Sequence, residues 1–562
     1  MSRASLLAAL AVFSLAACNS TNQPAGVSLD TVTPKAMAHA GPTLDEKAFR
    51  RHVKALSSDE FEGRSPSSAG EAKTLAYLAE AFQRIGLKPG NGKSFFQDVP
   101  LVTMTASAQP IQIKKDGVVL QSMAIGPDAV TWSKHVTEAV ALSNSEMVFV
   151  GYGIVAPEYD WNDYEGIDMT GKTAVILVND PGFATQDPEL FRGNAMTYYG
   201  RWTYKFEEAA RQGAAGAIIV HETEPAAYPW AVVEGSWTGP QHDLVAPDKN
   251  FSRASIEGWM TFEQAAQVFA NGGADYQRAK ASATSRDFKP LPLGLTASTS
   301  LTNEISIANS KNVLGLLEGS ERPDEIVIFT AHWDHLGKDP NLEGDQIYNG
   351  AVDNATGTAA LIVLADAFLK ADTKPKRSLL FLAVTAEESG LLGSKHYGEN
   401  PVYPLAKTIG GVNIDAMNVY GRTRDVAVVG HGSSQMEDIL AAAAAKQGRI
   451  IVPEPSPEKG YFYRSDHFNL AKKGVPMLYA EGGNDQRIGG RAAGDAVARD
   501  YVSNRYHKPA DEYSEDWDLS GTMEDLALYY SVAEDVANRD GMVEWYDGTE
   551  FKAIRQKSLA GD

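Results

Sequence analysis

What most constrains this chain is an alternation of short apolar runs and helical stretches from about residue 303 onward. The runs 325–330, 378–384, 409–414, 425–430 and 475–480 read as strands, and 356–370 and 436–447 as helices. Leu379 to Val384 carries no polar alternation, the pattern of a strand covered on both faces. Strands separated by helices cannot pair through hairpins. They imply an α/β fold, a mainly parallel, mixed sheet flanked by helices, and such sheets bind ligands outside the carboxyl ends of their strands.

The residues delivered to that edge are chemically consistent. Strand 325–330 runs into His332, Trp333, Asp334 and His335; Asp353 opens the next helix; strand 378–384 leads to Glu387 and Glu388; strand 409–414 ends at Asp415; a late loop brings His507. Imidazole nitrogens and carboxylate oxygens suit divalent zinc. Five ligands exceed what one catalytic zinc uses, so two Zn2+ per chain sharing one carboxylate is the economical arrangement. His332 and Asp415 would hold one ion, Glu388 and His507 the other, with Asp353 bridging. Glu387 is then free to act as a catalytic proton shuttle. Asp334 would accept the second N–H of His332 and so orient it, with Asp511 doing similar work near His507. Taken singly, Asp353 could be a helix cap and each histidine an ordinary loop residue; placement of all of them at consecutive strand ends favours the metal reading.

The chain of 562 residues exceeds what one hydrophobic core supports, so several domains are expected. Its net charge of −21 argues against nucleic acid as a partner. Residues 1–17 read as a lipoprotein signal peptide: Arg3, an apolar stretch from Leu6 to Ala17, then Cys18, the only cysteine. The sequence Leu15-Ala16-Ala17-Cys18 resembles a lipobox. A lipidated Cys18 would anchor an exported protein to a membrane, and Asn19 after it points to the outer membrane, facing periplasm or cell surface, in a Gram-negative cell. Residues 18–44 form a tether rich in Ser, Thr, Pro and Ala. From 135 to 295 short β-runs alternate with Gly, Pro and aromatic loops, which reads as a β-rich insertion between a first part at 45–134 and a second at 296–562.

The segments "AHWDHLG", "NGAVDNATG", "TAEESGLLGS", "VNIDAMN" and "YHKPADEY", in that order, resemble the co-catalytic dizinc aminopeptidase family, whose members include glutamate carboxypeptidase and the transferrin receptor. The resemblance covers nearly all of the chain after residue 45, and it identifies 135–295 with a protease-associated domain. It implies a zinc-exopeptidase fold and a zinc-dependent aminopeptidase acting on peptides. It also directs attention to "YFYRSDHFNLAKKGVP", where Tyr461, Tyr463, Asp466 and His467 become candidate substrate-binding residues. Ser465 and His467 do not form a serine-hydrolase pair, because no G-x-S-x-G elbow accompanies them. A carboxypeptidase or dipeptidase is the alternative, and it would need arginines from among Arg464, Arg487, Arg491 and Arg505. A non-catalytic receptor would be expected to have lost ligands, and every ligand position is filled.

Overall fold

The computed structural model describes residues 43–561. The expected signal peptide, Cys18 and nearly all of the tether lie outside the described residues. Two capped helices come first. In α1 (Glu46–Leu56) the Asp45 side chain accepts from the Ala48 N–H, and in α2 (Ala69–Ile85) the Ser68 hydroxyl accepts from the Glu71 N–H. Gly86, at φ 102°, ends α2 in the left-handed region that glycine tolerates. Leu75, Leu78 and Phe82 are buried on one face of α2.

Strand β1 (Phe96–Ala108) leads to the middle region, whose β2 (Ala139–Phe149), β3 (Thr173–Leu177), β4 (Gly216–His221) and β5 (Ile256–Thr261) pair in that order, all parallel. Helix α3 (Trp202–Arg211) lies between β3 and β4. Parallel neighbours need crossovers, which is why helices and long loops interrupt the short β-runs. Strand β6 (Leu291–Leu317) then ties this region to the rest, pairing antiparallel with β2 and β1 and, at its far end, with β8.

The main sheet follows the sequence pattern closely. It contains β7 (Arg322–His332), β8 (Arg377–Val384) and β9 (Thr408–Asn413), with α4 (Thr356–Leu369) between the first two. Then come β10 (Asp425–Val428), α5 (Met436–Lys446), β11 (Ile450–Pro453), α6 (His467–Ala471) and β12 (Met477–Gly482), before α7 (Gly490–Asn504) and α8 (Ser520–Asn538). Strands β8, β7, β9 and β12 are parallel neighbours, while β6 flanks β8 and β10 flanks β12 antiparallel. The sheet is therefore mixed. All eight residues of β8 are buried, as its unbroken apolar run requires. The stretch Ala351–Leu369 is apolar enough to cross a membrane, but 89% of it is buried, which makes it a core helix.

The middle region grips the main sheet through polar contacts. Lys472 Nζ, just after α6, donates to the Tyr198 hydroxyl at 2.6 Å and to Glu207 at 3.0 Å, and Arg192 donates to the His431 carbonyl at 2.6 Å. These contacts tie the middle region to the C-terminal end of α6 and to the loop after β10.

Helix α1 supplies a titratable core contact. His52 is buried, with Nδ1 2.7 Å from the Tyr77 hydroxyl on α2. Burial, assisted by Arg84 and Arg51, pushes its imidazole down to about 4. Because the folded pKa lies below the ordinary 6.5, the neutral ring contributes its full stability above pH 6.5, and that contribution is lost as pH falls toward 4. Urea unfolding between pH 7 and 4 should show a weaker pH dependence for His52→Gln than for wild type; identical slopes would contradict this account.

Candidate metal centre

The carboxyl ends of β7, β8 and β9 bring the sequence-predicted residues together. His332 is the last residue of β7, Glu387 and Glu388 follow β8 in a turn, and Asp415 lies two residues past β9. Asp353 precedes α4 in an irregular turn and does not cap it. Asn354 does that work, its Oδ1 accepting from the Gly357 N–H at 2.9 Å. Asp353 is thus free to face two rings: Oδ1 is 3.2 Å from His332 Nε2, and Oδ2 is 3.3 Å from His507 Nε2. Asp415 Oδ1 approaches His332 Nε2 at 3.1 Å, and Glu388 Oε2 approaches His507 Nε2 at 3.1 Å. Donor atoms of His332, Asp353 and Asp415 lie within 4.8 Å of one another, as do those of His335, Asp353 and Glu388.

The electrostatics favour positive charge here. Burial opposes an imidazolium at His332, yet Asp415, Glu387 and Asp353 outweigh it and raise its pKa well above the ordinary value. His507 is likewise lifted to about 10, against burial, by Asp353 and Glu388. Burial pushes the Glu387 carboxyl well up, with Glu388 and Asp415 adding to the shift. A pocket that favours positive charge and presents imidazole nitrogens with carboxylate oxygens fits divalent metal, and Asp353 turns one oxygen toward each histidine.

Supporting contacts explain how the donors are aimed. Asp511 accepts from the backbone N–H groups of Val352 and Asp353, both at 3.0 Å, and so holds the Asp353 turn. Ser465 donates to Asp415 Oδ2 at 2.6 Å and accepts from Asn413 Nδ2 at 2.8 Å. Asp334 departs from the sequence expectation. His332 Nδ1 donates to the Asp334 backbone carbonyl at 3.2 Å, while the Asp334 carboxylate stands 3.9 Å from that nitrogen and accepts from the Glu387 N–H at 3.1 Å. Its side chain therefore fixes the glutamate turn, and the His332 ring is oriented by main chain.

The substrate-side candidates divide. Asp466 is buried near the cluster, and burial pushes its carboxyl up to about 7, with His332 opposing. Tyr461 is exposed under the Arg464 guanidinium. Tyr463 is buried and donates to Glu550 at 3.0 Å, so its hydroxyl is committed elsewhere. His467 is packed between Phe462 and Tyr479, and burial holds it at about 3, a neutral core histidine. Of the four arginines, Arg487 pairs with Glu524 at 3.3 Å, Arg491 with Asp425 at 3.2 Å and Arg505 with Asp500 at 3.1 Å.

Two residues were missed in the sequence reading. His335 donates from Nδ1 to Glu388 Oε1 at 2.6 Å; its signal was the second histidine of His332-Trp333-Asp334-His335. Arg64 carried no signal beyond the glycine before it. It is fully buried and donates to the carbonyls of Trp333, Leu56, Asn349 and Gly350 at 2.6–2.9 Å, joining both ligand-bearing loops to the N-terminal segment. Gly63, at φ 68°, lets this arm pass close, since a Cβ there would sit 2.3 Å from the Gly337 carbonyl oxygen.

An α/β sheet whose strand ends bring imidazoles and carboxylates into one pocket defines a candidate metal-binding site. Residues 312–531 match the model of peptidase family M28. It is 34% identical over 129 residues to aminopeptidase NAALADL1 of Rattus norvegicus, a stretch covering 22% of this chain and 16% of the relative. To the glutamate carboxypeptidase 2 homolog of Caenorhabditis elegans it is 24% identical over 525 residues, covering 81% of this chain and 62% of the relative. Among solved structures it is similar to an aminopeptidase from Aneurinibacillus sp. strain AM-1, with TM-score 0.47, 20% identity, and coverage of 89% of this chain and 95% of that one.

Replacing Arg64 by Met removes the Arg64 donor from the carbonyls of Trp333, Leu56 and Asn349, while Gly350 keeps the Ala355 N–H, and each unpaired group costs about 1–3 kcal/mol. Denaturant unfolding should register a loss of at least about 3 kcal/mol; a loss below about 1 kcal/mol would contradict the role given to this side chain.

Proposed function

We propose that the protein is a zinc-dependent exopeptidase with two zinc ions per chain, releasing N-terminal residues from peptides. The observation that carries this reading is Asp353, whose two oxygens face His332 and His507 separately. His332 and Asp415 would hold one ion, Glu388 and His507 the other, with Asp353 between them. Zinc bound there supplies Lewis acidity, acidifying a water and polarising the scissile carbonyl. Glu387 stands next to these ligands with no ligand duty of its own. It takes a proton from the attacking water and returns it to the leaving amine. Asp334 keeps that turn in place through the Glu387 N–H.

Aminopeptidase action is favoured over carboxypeptidase action because a free substrate carboxylate needs an available arginine. Arg487, Arg491 and Arg505 are each paired with an acid. The carboxypeptidase reading keeps Arg464, whose guanidinium lies 5.3 Å over Tyr461 and 6.0 Å over Tyr228. The same proposal places the protein outside the cytoplasm, anchored through a lipidated Cys18, with residues 135–295 as a protease-associated insertion that restricts access to the site.

Leucyl- or alanyl-nitroanilide should be cleaved by the zinc-loaded protein, and an N-blocked dipeptide with a free C-terminus should not. Glu387→Gln should lower kcat by at least about 100-fold with zinc content unchanged. Preferential cleavage of the blocked dipeptide, or near-wild-type turnover by the variant, would overturn the reading.

A further inference from the structure

Two adjacent glutamates leave the turn after β8, and the Asp334 carboxylate holds both of their backbones, accepting from the Glu387 N–H at 3.1 Å and from the Glu388 N–H at 3.4 Å. One side-chain contact tells them apart. His335 Nδ1 donates to Glu388 Oε1 at 2.6 Å, between side chains 0% and 6% exposed, and Glu388 Oε2 is left 3.1 Å from His507 Nε2. A hydrogen bond to a buried carboxylate is among the strong ones, so this bond fixes which oxygen faces the donor cluster.

The His335 ring is itself confined. Its backbone N–H donates to the Arg64 carbonyl at 3.3 Å. Gly350, at φ 55°, lies against the ring, where a Cβ would meet His335 Cγ and Cδ2 at 2.6 Å, so this approach requires glycine. The His507 ring meets it edge-on, with centroids 5.9 Å apart and planes at 71°. His335 Nε2 is buried with no hydrogen-bond partner, so among the described residues the bond to Glu388 is the one polar contact the ring makes. A nitrogen of His335 also lies within 4.8 Å of donor atoms of Asp353 and Glu388, which makes direct coordination the competing role. Against it, Nδ1 is already given to Glu388.

We propose that His335 is a positioning residue: by binding Oε1 it leaves Glu388 to offer Oε2 alone to a metal ion, and so makes Glu388, and not Glu387, the ligand. The inference rests on the two-zinc reading and adds what assigns the paired glutamates their separate roles. Hydrogen-bond partners of a metal ligand are worth about 10- to 100-fold in metal affinity.

Calorimetric zinc titration of the chelator-treated full chain tests this with two substitutions. His335→Leu fills the space without a donor and should weaken zinc binding by about 10- to 100-fold, whereas His335→Asn, whose amide N–H can stand where Nδ1–H does, should stay within about threefold of wild type. In a Glu388→Ala background His335→Leu should change nothing further, because the carboxylate it acts through is gone. The inference is overturned if His335→Leu binds zinc as wild type does, which would reduce the ring to packing. It is equally overturned if His335→Asn loses as much as His335→Leu, which would make His335 a ligand, or if His335→Leu adds its full loss to Glu388→Ala, the mark of a general structural defect. Zinc stoichiometry of wild type is scored separately: one equivalent, still lost in His335→Leu and kept in His335→Asn, would refute the two-zinc reading and leave the role of His335 standing, while no zinc at all would overturn both.

Discussion

Two imidazoles, one at a strand end and one on a loop, approach opposite oxygens of one buried carboxylate, and the rest of the site is arranged to keep Asp353 in that position. An ionised carboxylate out of water is costly unless its charge is answered. Here the answer comes from His332, at the end of a central strand, and His507, on a late loop. Each needs its own support. The His332 ring is oriented by a main-chain carbonyl, Asp511 fixes the turn that carries Asp353, and Arg64 binds the backbone beside both. A pocket that raises the pKa of both histidines is one that binds cations, and that property links the fold to the chemistry proposed for it.

The main sheet was legible because its strands are buried on both faces, which leaves a long apolar signature. The expected strands and helices between 325 and 480 appear within a few residues of their predicted limits. The antiparallel orientation of β10 was not legible, since four residues carry no directional signal and their pairing with β12 is a tertiary choice. The same applies to the middle region, whose short β-runs did not disclose that β2 to β5 pair in parallel.

At the site, residues at strand ends could be read and the contacts between loops could not. Asp334 sits two residues from His332 and was expected to orient it, but the turn after β8 comes closer and takes the carboxylate instead. Tyr463 was a candidate substrate-binding residue, but Glu550, 87 residues on, occupies its hydroxyl. Arg64 reaches carbonyls 269 to 286 residues away, a distance no local pattern encodes. Those contacts decide geometry, and the motifs decide composition.

The central claim is that Asp353 joins two metal ions. Elemental analysis and calorimetric zinc titration of chelator-treated wild type and Asp353→Asn test it most directly. The account predicts two equivalents of zinc in wild type and weakened binding of both in the variant. A single equivalent in wild type, or an unchanged pair of sites in Asp353→Asn, would contradict it.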